Sequence, residues 1–407
     1  MSDASDTSAA TFETWERRLH AFAALADPAA ARGGSGSLGG LRVGVKDIID
    51  VAGLPTRNGS AACADAPPAA QDAPAVAALR AAGAAILGKT VTTEFAFTDP
   101  TDCRNPHDLS RSPGGSSSGS GAAVGAGLVE VALGTQTAGS LCRPAAYCGA
   151  VGLKPSYGSI PTEGVTPLAP SFDTVGIIAR SVETAGRAFA AMSPGFDAGA
   201  AKAPQDCVVA PLLLDPATPA SAETLAAFDA AQAALLGIAR AGAPPRLGFD
   251  VAAVVADHRV VMNREAFVAH GAMLDDARGA RLRPKFAAGL RGGADVTPAS
   301  AAAAAERLAQ ARAAFWDAAE GLDAILTLPV PDGAPKIDGT TGFQDWLTPW
   351  TVFRGPLIAL PWGRDGLGRP RSVMLAGRPG GEATLLTLAE ALQAASPPLP
   401  RPRLPAD

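Results

Sequence analysis

Residues 112–143 read SPGGSSSGSGAAVGAGLVEVALGTQTAGSLCR and constrain the fold more than any other segment of the chain. Glycine and serine at this density permit two different structures. One is a flexible linker; the other is a helix whose small side chains let a neighbour approach closely. The run lies between apolar segments, AAILGKT before it and LVEVALG within it, where a linker would instead separate domains. It is therefore read as core, with a close-packed helix over residues 119–127 followed at once by a strand. A second string, GVKD, lies upstream with Lys46 in it. Together the two segments supply serine hydroxyls and a lysine but no histidine. That chemistry is serine acyl transfer without imidazole.

The rest of the chain reads as alternating helices and strands, an α/β pattern. A first helix is expected over residues 10–31, with Trp15, Leu19, Phe22 and Leu25 on one face, stopping at Gly33-Gly34. LRVGVKDIIDV alternates apolar and polar positions, so it predicts a strand leading to a turn at Gly53-Leu54-Pro55, with Lys46 on or just past it. Further helices are expected over 72–82, 181–192, 222–241 and 299–320. Residues 135–140 turn out of the strand LVEVALG and Arg143-Pro144 opens the next helix, which puts Ser140 at a strand-to-helix junction. Between 194 and 312 the sequence is rich in Ala, Pro, Gly and Asp and carries little readable chemistry. Strands in LDAILTLPVP, GPLIALPWG and SVMLAG follow, then a helix over 382–394 and an extended proline-rich tail, PPLPRPRLPAD.

Several functions find no support. GAAILGKT, residues 83–90, satisfies the P-loop pattern, but a phosphate cradle needs a flexible loop between a strand and a helix. Here the intervening Ala-Ala-Ile-Leu reads as buried strand and VTTEFAF starts no helix. His20, His107, His258 and His270 form no cluster in the sequence, so neither a metal site nor a Ser-His-Asp triad is expected. Cys142 and Cys148 are read as small packing residues, and five irregularly spaced cysteines as reduced thiols. A net charge of -5 gives no general reason to hold nucleic acid or an anionic membrane. The start, MSDASDTSAATFE, lacks the basic and apolar regions of a secretory leader, and no apolar run reaches spanning length. The cytoplasm is the expected location.

GGSSSGS, GTQTAGS, RPAAYCG and VGLKPSYG, with GVKD upstream, resemble the amidase signature family. PSFDTVGIIARSV, ALPWG and LAGRPGGEATLL extend the likeness. It is close over residues 41–182 and loose over 322–392. The resemblance implies a single α/β domain over residues 1–395, with a central mixed, twisted sheet flanked by helices on both faces. Within it a signature core would span 41–192, a variable helical region 194–320 and a second sheet part 322–394, the tail being 396–407. It implies Ser140 as nucleophile, Ser116 as bridging serine and Lys46 as terminal base, with no cofactor and no metal. A cis peptide is expected between Gly115 and Ser116. Backbone N–H groups of Thr137, Ala138, Gly139 and Ser140 would form the oxyanion hole, and Ser117 would hydrogen-bond nearby and help orient Lys46. A lone serine hydroxyl needs an aligned base, and a lysine serves only if burial depresses its pKa.

The resemblance implies an amidohydrolase that cleaves a small carboxylic amide through an acyl-enzyme. One alternative is the glutaminase subunit of a tRNA-dependent amidotransferase. There arginine and glutamine usually follow the nucleophile and an aspartate stands where this chain has Gln136. Another is a non-catalytic scaffold relative, which would be marked by loss of Lys46, Ser116 or Ser140. Arg143 is read in two ways. It resembles the arginine of a malonamidase-like branch, which would clamp a substrate carboxylate, or it pairs with a core carboxylate such as Asp173. The expected partner is a small-molecule amide, with no nucleic acid and no membrane. Oligomeric state stays open, a homodimer among the options.

Overall fold

A computed structural model describes residues 9–29, 31–214 and 218–404. Residues 1–8 of the acidic start and the last three residues of the proline-rich tail lie outside the described residues. The described strands are β1 (Phe22–Leu25), β2 (Arg42–Lys46), β3 (Ala85–Thr90), β4 (Val131–Gln136), β5 (Val151–Lys154) and β6 (Thr174–Ala179). They continue as β7 (Val208–Pro211), β8 (Arg240–Ala241), β9 (Ala324–Thr327), β10 (Leu357–Arg364) and β11 (Pro370–Gly377). All join one sheet in the order β1-β3-β2-β4-β6-β5-β10-β11-β9-β7-β8. It is mixed: β2 runs parallel to β3 and β4, and β7 parallel to β8 and β9, while the other pairs are antiparallel. Antiparallel pairing of Leu357 with Lys154 joins the strands of the signature region to those near the chain's end. The central strands VALGTQ and TVGIIA are buried along their whole length, as expected for strands covered on both faces.

The helices that flank both faces are α1 (Ala9–Leu19), α2 (Pro74–Ala81), α3 (Ser118–Ala126), α4 (Cys142–Tyr147), α5 (Val182–Met192) and α6 (Ala222–Leu236). After them come α7 (Val251–His270), α8 (Pro284–Asp295), α9 (Pro298–Ala318), α10 (Thr348–Val352) and α11 (Glu382–Ala394). Helices α2, α3, α5, α9 and α11 match their predicted spans and α4 its predicted start, while α7, α8 and α10 had no predicted span; three differences have physical causes. The first expected helix stops at Leu19. His20 adopts φ 52°, and the Glu16 carboxylate accepts the N–H groups of Ala21 and Phe22, so the chain leaves the helix and Phe22–Leu25 pairs with β3. The helix expected to reach residue 241 ends at Leu236, where Gly237 follows and Arg240–Ala241 adds a short parallel strand to β7. The region 194–320 is not wholly helical, because β7 and β8 extend the sheet from within it.

Helix α3 is packed as closely as its glycines suggest. A Cβ on Gly119 would lie 2.1 Å from the Ala21 carbonyl oxygen, one on Gly121 2.9 Å from Pro144, and one on Gly125 2.5 Å from the Cys148 carbonyl oxygen. The Gly/Ser run is thus core and not linker. GAAILGKT likewise enters strand β3, where Lys89 is buried in an ion pair with Asp47 at 3.0 Å, and forms no phosphate loop. Among the described residues no helix is long and apolar enough to cross a membrane.

Gly119→Ala should destabilise the protein by about 1–3 kcal/mol or more, since backbone and not a flexible side chain fills the space. Gly292→Ala, in α8 with nothing within 4 Å of the added carbon, should be neutral or slightly stabilising. Urea denaturation midpoints of the two variants check this, and equal midpoints would contradict it.

Candidate active site

Three elements converge at one end of the sheet. Lys46 is the last residue of β2, and the parallel register of β2 with β4 brings it beside the end of β4. Ser116 lies in the loop that enters α3, and Ser140 in the turn between β4 and α4. Lys46 is fully buried, and its Nζ lies 2.7 Å from Ser116 Oγ and 2.7 Å from Thr135 Oγ1. Burial lowers its pKa to about 7; the Asp173 carboxylate opposes that shift and the Arg143 guanidinium adds to it. Ser140 is 6% exposed whereas Ser116 and Lys46 are at 0%, so Ser140 is the member a small molecule reaches first.

The Ser116 loop is tightly held. The Gly115–Ser116 peptide is cis. Ser112 Oγ accepts the Gly114 N–H at 3.0 Å, Ser118 Oγ donates to the Gly114 carbonyl at 2.7 Å, and the Ser116 carbonyl accepts the Thr93 N–H at 3.1 Å. Ser117 N–H donates to the Ser140 carbonyl at 3.1 Å, which ties the two serine segments together. The Ser117 hydroxyl bonds the backbone of Thr135 at 3.3 and 3.4 Å. Contact with Lys46 comes instead from the Thr135 hydroxyl, so Ser117 stands one residue removed from the lysine.

Each carbonyl of the 137–140 turn has a donor. His258 Nε2 meets the Thr137 carbonyl at 2.8 Å and the Thr351 hydroxyl meets that of Ala138 at 2.6 Å. Arg143 N–H meets the Gly139 carbonyl at 3.1 Å, and Ser117 N–H takes that of Ser140. In a trans peptide the N–H points opposite to the C=O. The N–H groups of Ala138, Gly139 and Ser140 are therefore turned away from these partners. Among the described residues, none accepts a hydrogen bond from the N–H of Thr137, Ala138, Gly139 or Ser140. The Thr137 hydroxyl donates to Asp173 at 2.5 Å, and the other Asp173 oxygen accepts the Leu168 and Ala169 N–H groups. Burial raises the Asp173 pKa against those bonds. A surface cleft lined by Tyr157, Ile160, Glu163 and Pro167 reaches Asp173.

Arg143 answers to neither expected role in its contacts. It is buried, and its Nε and Nη2 converge on the Gly115 carbonyl at 3.0 and 2.5 Å while Nη1 meets the Gly342 carbonyl at 2.9 Å. The fork edge that would take a carboxylate holds a backbone oxygen, and Asp173 belongs to Thr137. Leu141, the residue after Ser140, takes the N-cap position of α4. Cys142 and Cys148 are buried, and burial raises both thiols, Cys142 to about 12, as packing residues require.

The sequence reading missed three residues around the site. Thr135 was read as the start of the turn, whereas with Gln136 it forms the polar end of an otherwise apolar buried strand. His258 comes from α7, in the region that read as empty of chemistry. Its ring packs on Phe172 at 4.3 Å, and burial lowers its pKa to about 4, which leaves a neutral ring whose Nε2 donates to Thr137. Thr351 lies in α10. Nothing local marks either one.

Comparison with known proteins fits this geometry. The family model named Amidase matches residues 2–223. The chain is 35% identical over 442 residues to a glutamyl-tRNA(Gln) amidotransferase subunit from Anaeromyxobacter sp. (strain K), covering 95% of this chain and 89% of that protein. It is 32% identical over 402 residues to AtzE, the 1-carboxybiuret hydrolase subunit of Pseudomonas sp. (strain ADP), covering 88% and 84%. The solved structure of 6-aminohexanoate cyclic dimer hydrolase superposes with a TM-score of 0.85 at 26% identity, covering 97% of this chain and 93% of that one. With the family model matching more than half its length and a full-length likeness to such relatives, this chain belongs to the amidase family, enzymes that act on amide C–N bonds.

Proposed function

We propose that the protein hydrolyses a small carboxylic amide through an acyl-enzyme on Ser140. The observation that carries this reading is the 2.7 Å approach of a buried Lys46, its pKa lowered to about 7, to Ser116 Oγ. Ser140 Oγ attacks the amide carbon as its proton passes to Ser116, whose own proton passes to neutral Lys46. The negative charge that forms on the carbonyl oxygen is met by backbone N–H groups of residues 137–140. The tetrahedral species collapses, the C–N bond breaks, and the relay returns a proton to the departing ammonia or amine. Water then attacks the acyl-Ser140 ester by the same route in reverse and frees the acid. Thr135 orients Lys46, and Ser117 orients Thr135. Arg143 supports the Gly115 carbonyl that precedes the bridging serine. Five free thiols suit a reducing compartment, and we place the reaction in the cytoplasm.

A second reading is favoured by the 35% identity to an amidotransferase component, which would make the chain a glutaminase working in a complex. Cys142 and Arg143 after the nucleophile, and Gln136 before it, stand against that assignment. Ammonia release by the protein purified alone, across a panel of small amides, separates the two. A scaffold role would predict no labelling of Ser140 by a fluorophosphonate.

Ser140→Ala should lower turnover by roughly 10⁴- to 10⁶-fold and abolish fluorophosphonate labelling while the circular dichroism spectrum is kept. Residual activity well above that level would remove Ser140 from the role. The relay needs Lys46 neutral, so activity should rise with pH through about 7 and be lost below it. Lys46→Arg should be nearly inactive at every pH of the profile, because guanidinium keeps its proton there. Arg143→Lys should slow charged and neutral amides by the same factor, about 10-fold or more, since one ammonium cannot reproduce the two-point hold on Gly115. A selective loss toward amides bearing a carboxylate would restore the substrate clamp.

A further inference from the structure

Of the donors that hold the 137–140 turn, only the one on Ala138 is a rotatable hydroxyl. Thr351 Oγ1 has a single proton and two acceptors in reach, the Ala138 carbonyl at 2.6 Å and, one helical turn back, the Leu347 carbonyl at 3.4 Å. The same oxygen accepts from Gln136 Nε2 at 3.0 Å. That bond occupies a lone pair and leaves the proton for Ala138. The direction of the Gln136 amide is fixed at its other end, where Oε1 accepts the Leu141 N–H at 3.2 Å and the Cys142 N–H at 3.0 Å. A flipped amide would set an NH₂ against two N–H donors, which the chemistry forbids. Both side chains are buried, so water cannot substitute for either one.

We propose that Gln136 and Thr351 are positioning residues that aim the Gly139 N–H at the substrate oxygen, acting through the Ala138 carbonyl on the other side of the same trans peptide. The inference rests on the reading of Ser140 as the nucleophile. Its requirement is specific: residue 136 must accept at one end and donate at the other. A carboxylate there would accept from Leu141 and Cys142 but draw the Thr351 proton to itself and release Ala138. Residue 351 needs a hydroxyl, and its methyl group is dispensable.

The test uses the full-length protein and a fluorophosphonate probe, which reacts at the serine oxygen and places a developing P–O⁻ where the carbonyl oxygen would sit. Labelling is followed against probe concentration to separate the maximal rate from the half-saturating concentration. Thr351→Val, of equal size but without the hydroxyl, should lower the maximal rate by about 10- to 100-fold with the half-saturating concentration within about 3-fold, as expected for a misaimed oxyanion donor. Thr351→Ser should label within about 3-fold of the native protein. Gln136→Glu should be at least as slow as Thr351→Val, because it removes the donor to Thr351 and adds a negative charge. Labelling of Thr351→Val at the native rate, or of Thr351→Ser as slowly as Thr351→Val, overturns the proposal. If the valine variant unfolds, the serine variant decides the matter alone. A native protein that does not label at all overturns the Ser140 reading and this one with it, an outcome distinct from the others because no variant is then needed.

Discussion

Everything at this site depends on one nitrogen having been taken out of water. An ammonium on Lys46 would lose its hydration in a place where the sheet, α3 and the β4–α4 turn leave it no solvent, and the protein offers it two hydroxyls in exchange. Hydroxyls are poor compensation for a charge and good partners for a neutral amine. The lowered pKa is the expression of that imbalance, and the buried Asp173 keeps it from falling further. In the proposed mechanism, packing alone produces the base and its proton relay, with no imidazole involved.

That packing depends in turn on the absence of side chains. Gly134 on β4 leaves room for Ser117, since a Cβ would lie 2.7 Å from its hydroxyl, and Gly119 lets α3 rest on the backbone of Ala21 and Val91. Close approach brings the serine loop within hydrogen-bond reach of the turn that carries Ser140. The Arg143 guanidinium, buried on the far side of Gly115, then holds that loop from behind. Its lowered pKa of about 10 still leaves it charged, so it repels a proton on Lys46 while bonding only to carbonyl dipoles.

The parts legible in the sequence were those written in contiguous residues. Lys46, Ser116 and Ser140 each sat in a contiguous string that carries the family resemblance, the small residues marked the close-packed helix, and the α/β sheet followed from the alternation around them. What could not be read was contact at long range with backbone atoms. His258 meets Thr137 across 121 residues and Thr351 meets Ala138 across 213, and a carbonyl oxygen accepts from any donor brought to it. No residue pattern at either end announces such a pair. The misread helix after Leu19 failed for a different reason: Phe22–Leu25 is an apolar run short enough to serve either period, and the open edge of β3 decided it. Arg143 was read as a clamp on a substrate carboxylate or a partner of Asp173, but its partners are again carbonyls, invisible to a reading of side chains.

The pairing of β10 with β5 ties the long-range brace to the sheet. Lys46, Ser116 and Ser140 all precede α4 in the chain, on β2, in the loop before α3 and in the turn after β4. The segment that steadies Ala138 is α10, which directly precedes β10, the strand that docks against the signature half of the sheet. The helix whose hydroxyl meets the Ala138 carbonyl therefore lies far along the chain from all three. The hydroxyl on the Ala138 carbonyl thus comes from beside the strand that joins the two parts of the sheet, so the docking of β10 on β5 and the seating of Thr351 on the turn are linked through a short stretch of chain.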